Sequence, residues 1–115
     1  MGRTRKYKDY LNERLQEPRE AVGYLNAALE DEDTRVFLLA LRDVADAWGG
    51  LGWLAEEGDL NRESVYRMLS SRGNPRLTSL KSVLDAMGLH LSVREDHPKR
   101  SSLSRSRKGS ARPRA

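Results

Sequence analysis

The sequence predicts an all-α fold: five helices that include a helix-turn-helix, followed by one short C-terminal strand. Three observations carry this prediction. Apolar residues recur at helical spacing through residues 18–88. Gly49-Gly50, Gly58, Gly73-Asn74-Pro75 and Gly88 punctuate them as turns. Residues 54–69 also fit two short helices joined by a tight turn. At 115 residues the chain allows one small domain. The expected organisation is an N-terminal arm over 1–17, a helix-turn-helix domain over 18–95 and a disordered basic tail over 96–115.

Residues 1–7 read as a loose basic arm, and Asp9 to Leu15 as a turn or two of helix with Leu11 and Leu15 on one face. Pro18 suits a first helical turn, where its missing amide hydrogen would go unused. The helix from Pro18 to about Glu30 carries Ala21, Leu25, Ala28 and Leu29 as its apolar stripe. Glu30-Asp31-Glu32-Asp33 opposes the negative end of a helix dipole, which places a break there. Asp33 then caps the next helix. That helix, from Thr34 to Trp48, is the most apolar, with Phe37, Leu41, Val44, Ala45 and Trp48 at helical spacing. Gly49-Gly50 ends it.

The helix-turn-helix follows. Leu54 and Ala55 lie on its first helix, and Gly58 is expected to supply the positive φ that ends it. Leu60 plugs the turn. Asn61 caps the second helix, which buries Val65 and Leu69. After the Arg72-Gly73-Asn74-Pro75 loop, Leu77, Leu80, Val83, Leu84 and Met87 define a last helix from about Arg76 to Met87, ended by Gly88. His90 to Arg94 alternates polar and apolar, the signature of a short strand. A lone strand leaves its amides unpaired. This one is expected to pair with the amino-terminal segment, a second subunit or a partner protein.

Charge divides the chain. The total is +4, but residues 1–95 carry a net −2 and residues 96–115 a net +6. Nucleic-acid binding by the folded part therefore depends on where its arginines sit. The absence of cysteine excludes disulfides, thiol catalysis and Cys-based zinc sites, and agrees with a cytoplasmic location. No apolar stretch approaches the ~20 residues needed to span a bilayer. His90 and His97 have no cysteine to join them in a metal site, Glu56-Glu57 reads as a solvated pair, and no glycine-rich phosphate loop follows a strand. The chain is expected to be no enzyme, with no cofactor and no metal.

The outer face of the second helix has more substance. Arg62 can reach a guanine edge bidentately or grip a phosphate, and Arg67 projects toward the same groove. Glu63 can accept from a cytosine amine or pair with Arg67. Tyr66 offers a ring to a thymine methyl and a hydroxyl to a phosphate. Asn74 and Arg76, with Ser71 and Arg72, lie in the loop beyond, where backbone contacts are usual. An ordinary helical hairpin with a solvated polar face fits the periodicity alone as well.

These residues carry a resemblance. Over about Tyr10 to Arg94 the chain resembles the probable addiction-module antidote proteins, HigA-like antitoxins with a lambda-repressor-type (Xre-like) helix-turn-helix. It does so in residues 24–30, in Phe37 to Ala45, in Leu60 to Leu69, and in Gly73 to Leu77 continuing to Leu89. The resemblance implies a lambda-repressor-like domain that binds an operator of its own operon as a homodimer. It also implies an antitoxin that neutralises a small RelE/ParE-like toxin. It matches Arg62, Glu63, Tyr66 and Arg67 to groove-facing positions and Asn74 to the loop that touches the backbone; with Asn61 and Arg76 these are the expected DNA-binding residues. Leu51-Gly52 departs from the polar start usual for the first helix of the motif. The alternative is a free-standing Xre-like transcriptional regulator without a toxin partner; a protein-interaction module with no DNA role is a third reading.

Overall fold

In a computed structural model, residues 5–96 are described. Six α-helices follow one another: α1 (Arg5–Leu15), α2 (Pro18–Leu29), α3 (Thr34–Ala47), α4 (Leu51–Glu57), α5 (Arg62–Met68) and α6 (Leu77–Ala86). The expected tail, apart from Asp96, lies outside the described residues, as does His97.

Two expectations about the fold require correction. The described residues form six helices, not five, and none of them forms a strand. The additional helix is α1. It begins at Arg5, and its Leu11 and Leu15 are buried in the common core. Because Arg5–Leu15 is helical, it has no edge to offer residues 89–94. The alternation there has another cause. Leu89 packs against the core, and Leu91 lines a groove of about 310 Å³ with Leu29, Leu38 and Leu80. Val93 stands 98% exposed. The segment is an irregular strap held to the helices chiefly by Leu89, with Leu91 at the groove still 36% exposed.

The core centres on α3, which packs against α1, α2 and α4. Its Leu41, Val44 and Ala45 are completely buried, and so are Leu54 of α4 and Val83 of α6. Trp48 and Leu80 are only partly buried against this core. Trp48 also makes a polar tie. Its indole Nε1–H donates to the Leu15 carbonyl at 2.7 Å, joining the end of α1 to the end of α3. A second tie joins three helices. Asp43 on α3, though buried, accepts from the Tyr24 hydroxyl of α2 at 2.6 Å and faces Lys8 of α1 at 3.8 Å. A buried carboxylate is tolerated only when it is met in this way.

Helix ends follow from identifiable residues. Asp33 caps α3 by accepting from the Arg35 amide at 3.0 Å. Three helices stop in the same manner: α3, α4 and α6 each pass into a residue with positive φ, and the next amide bonds back to the carbonyl five residues earlier. Glycine supplies that residue after α3 (Gly49) and after α6 (Gly88). After α4 it is Asp59, at φ 53°, while Gly58 has an ordinary φ of −96°. The positive φ thus falls one residue later than expected. Gly58 is small for a different reason: a Cβ there would stand 2.9 Å from the Ala86 Cβ and 3.0 Å from Leu60 Cδ1. It is where the turn passes close to α6.

Candidate nucleic-acid interface

The helix pair α4–α5 forms the helix-turn-helix. Val65 and Leu69 anchor it below, 1% and 0% exposed, beside Leu54 and Ala55. Leu60 in the turn is half-buried against the same core. Asn61 caps α5: its side-chain oxygen accepts from the Ser64 amide at 2.9 Å. With the carbonyl oxygen so engaged, the amide nitrogen is the donor Asn61 has left to offer.

Burying Val65 and Leu69 turns Arg62, Glu63, Tyr66 and Arg67 to solvent, and all four are exposed. The Arg62 guanidinium lies 5.8 Å from the centroid of the Tyr66 ring, one turn further along. It also lies against α4 at Gly52, where a Cβ would meet its Nη2 at 3.3 Å. Among the described residues no ion pair joins Glu63 to Arg67, so Glu63 stands as an acceptor beside two cations.

The loop after α5 is held to the helix end by the Ser70 side chain. The Ser70 hydroxyl donates to the Arg67 carbonyl at 2.8 Å, and the Arg72 amide to Ser70 Oγ at 3.3 Å. Gly73 passes so close to α5 that a Cβ would stand 1.9 Å from the Met68 carbonyl oxygen. That approach brings Asn74 and Arg76 back toward the end of α5, both exposed. Residues 61–76 carry four arginines and one glutamate, a local net of +3 on a body that is otherwise acidic. A cationic, exposed helix face with an adjoining basic loop suits a polyanion; the field of the whole folded part would not.

Two contributors lie beyond what the sequence predicts. By periodicity Arg42 belongs to the outer face of α3, yet its Nη1 reaches the carbonyl of Leu69 at the end of α5, at 3.5 Å. It supports the carbonyls that the helix end leaves without partners. Gly52, which departs in the sequence from the polar start usual for this helix, proves to be a neighbour of Arg62. Neither has a sequence signal, because each depends on two helices meeting.

Glu56 and Glu57 are exposed, His90 lies exposed on the strap, and among the described residues no three His, Cys, Asp or Glu side chains stand where they would hold a metal. No helix of the described residues is long and apolar enough to cross a membrane.

Comparison with known proteins adds to this geometry. The model of a family described as "Probable addiction module antidote protein" matches residues 5–95. A protein of Haemophilus influenzae that carries no functional description is 31% identical over 93 residues, which cover 80% of this chain and 95% of that one. No solved structure matches. The matched span runs from the first turn of α1 to the strap.

Proposed function

Because the chain belongs to the family of addiction-module antidote proteins, and so is the antitoxin of a toxin–antitoxin pair and not an enzyme, we propose that it is also the sequence-specific repressor of its own operon. The observation that carries this is the exposed α5 face, with Arg62, Tyr66 and Arg67 projecting together from a helix whose opposite side is locked in the core. In this reading α5 enters the major groove. Arg62 and Arg67 meet base edges, with Glu63 and Tyr66 between them. Asn61, Asn74 and Arg76 hold the sugar-phosphate backbone on either side. One such helix buries too little surface to specify an operator alone. A homodimer would present two of them to an inverted repeat, with half-sites about one helical turn apart.

The toxin in this reading is a small RelE/ParE-like protein, held away from α5. The α1–α2 surface suits such a partner. Tyr7 and Tyr10 are 46% and 55% exposed there, beside Arg14, Arg19 and Tyr24 in an open groove of about 540 Å³. Two large amphipathic rings give contact area at low entropy cost. Because Leu11 and Leu15 belong to the core, the surface is tested by Tyr7→Ala/Tyr10→Ala and not by deleting the segment.

Two assays test the proposal. Footprinting of the region upstream of the chain's own gene should show a two-fold symmetric protected site. Copurification with the product of the adjacent gene should give a complex that the double tyrosine variant weakens. An asymmetric footprint from a single monomer would remove the dimer. No complex with the intact chain would remove the RelE/ParE-like partner.

A further inference from the structure

Gly52 occupies the first turn of α4, and its φ does not lie in the left-handed region. Nothing in its backbone calls for glycine, and glycine weakens a helix. What its missing side chain does is leave room. A Cβ at this position would stand 3.3 Å from Arg62 Nη2, 3.4 Å from Cζ and 3.8 Å from Nε. All three are guanidinium atoms, so it is the charged head of Arg62, rather than its stem, that rests where a side chain would be. The guanidinium carbon is also 5.8 Å from the Tyr66 ring centroid. Arg62 is thereby seated by two groups on different helices, one a backbone and one an aromatic ring. An arginine on an exposed helix face otherwise samples many rotamers, and freezing them opposes binding.

We propose that Gly52 is a specificity-determining position of this antitoxin. By leaving a seat for the Arg62 guanidinium beside α4, it fixes the direction from which Arg62 meets a base pair, though it contacts no base itself. This rests on the reading of α5 as the DNA-reading helix. A residue with a side chain at 52 takes the seat, and Arg62 must approach from elsewhere. Size sets the effect. A methyl group is met by the flexible end of Arg62, which yields by a few tenths of an ångström, so Gly52→Ala is mild. A branched side chain fills the space, so Gly52→Leu unseats the guanidinium. Leucine is also the better helix former, so this variant is not expected to unfold α4.

The test compares binding of the full chain to a duplex of its own upstream region and to a scrambled duplex of equal composition. Arg62→Ala is expected to lower the ratio of the two affinities by roughly 5- to 150-fold, the range for a bidentate base contact. Gly52→Leu should lower it by roughly tenfold, Gly52→Ala by less than about threefold, and the Gly52→Leu/Arg62→Ala double variant by no more than Arg62→Ala alone. Gly52→Leu with an unchanged ratio, or a double variant in which the two losses multiply, would overturn the proposal. Side-chain NMR of the DNA-free protein separates its failure from that of the parent reading. Arg62 resonances should be displaced by the Tyr66 ring current in the wild type and should relax to ordinary positions in Gly52→Leu. Undisplaced wild-type resonances overturn the seat whatever the DNA result. Displaced resonances in a wild type that does not distinguish the two duplexes overturn the DNA reading, and the specificity role with it.

Discussion

The turn between α4 and α5 makes opposite predictions for two adjacent residues. Gly58 lies at φ −96°, which any residue adopts, but a Cβ there would sit 2.9 Å from Ala86 Cβ and 3.0 Å from Leu60 Cδ1. Ala86 belongs to α6 and cannot swing aside, so Gly58→Ala must separate the turn from that helix. Overpacking of this kind costs ~1–3 kcal/mol, offset by ~0.4–1 kcal/mol from the less flexible unfolded chain. The expected net is a loss of ~1–2 kcal/mol. Asp59 stands at φ 53°, a conformation that strains a residue with a Cβ by ~1–2 kcal/mol and strains aspartate less than most. Asp59→Gly relieves that strain and gives back ~0.4–1 kcal/mol in unfolded-state entropy. It should be neutral or stabilising by up to ~1 kcal/mol. Equilibrium urea unfolding of both variants gives the two signs. A stabilising Gly58→Ala would mean that the turn is not crowded against Ala86, and an Asp59→Gly that loses more than ~1 kcal/mol would mean that Asp59 does not carry the positive φ; either result would refute the turn geometry.

Three other outcomes follow from the same packing. Leu41, 0% exposed at the centre of α3, should cost ~2–5 kcal/mol when truncated to alanine, read from the same urea transition; a loss under ~1 kcal/mol would mean that α3 is not central. Asn61→Ala removes the acceptor for the Ser64 amide and should cost ~0.5–2 kcal/mol of stability, whereas Asn61→Asp should retain most of it. The Asp33 carboxyl is held below the usual carboxylate range, first by the Arg35 side chain and second by the Arg35 amide. Its folded pKa is therefore lower than its unfolded value of ~3.9, so its contribution is complete above about pH 4 and is lost as pH falls through the folded value. Asp33→Asn should flatten that acid limb in unfolding curves taken between about pH 2 and pH 5, and an unchanged limb would refute the assignment.

The parts of this fold that were legible in the sequence are those whose cause is local. Pro18, Asp33 and Asn61 mark helix starts because each acts on its own helix turn. The periodicity of Phe37, Leu41 and Val44 announces a buried face because it repeats within one element. What was not legible depends on what meets what. Leu11 and Leu15 are too few to declare a long helix, and α1 exists because α3 offers them a core and Asp43 and Trp48 offer polar ties. The alternation of residues 89–93 reads as a strand because period two cannot distinguish a neighbouring strand from a neighbouring groove. Gly58 attracted the positive φ because glycine usually takes it, although here tight packing against Ala86 claims the glycine and the aspartate takes the turn. The same holds at the candidate interface. The exposed face of α5 follows from the burial of Val65 and Leu69, while the seating of Arg62 on Gly52 and the reach of Arg42 to Leu69 do not follow from any pattern in one helix.

The central claim is that one antitoxin carries two separable activities, with operator reading on α5 and toxin neutralisation elsewhere. A single experiment in living cells addresses it: a reporter driven by the upstream region of this chain's gene, measured beside growth while the adjacent gene is induced. The wild-type chain should silence the reporter and restore growth. Arg62→Ala/Arg67→Ala, present at equal level, should restore growth fully while the reporter stays on. A variant that still silences the reporter, or one that loses both activities together while remaining folded, would contradict the account.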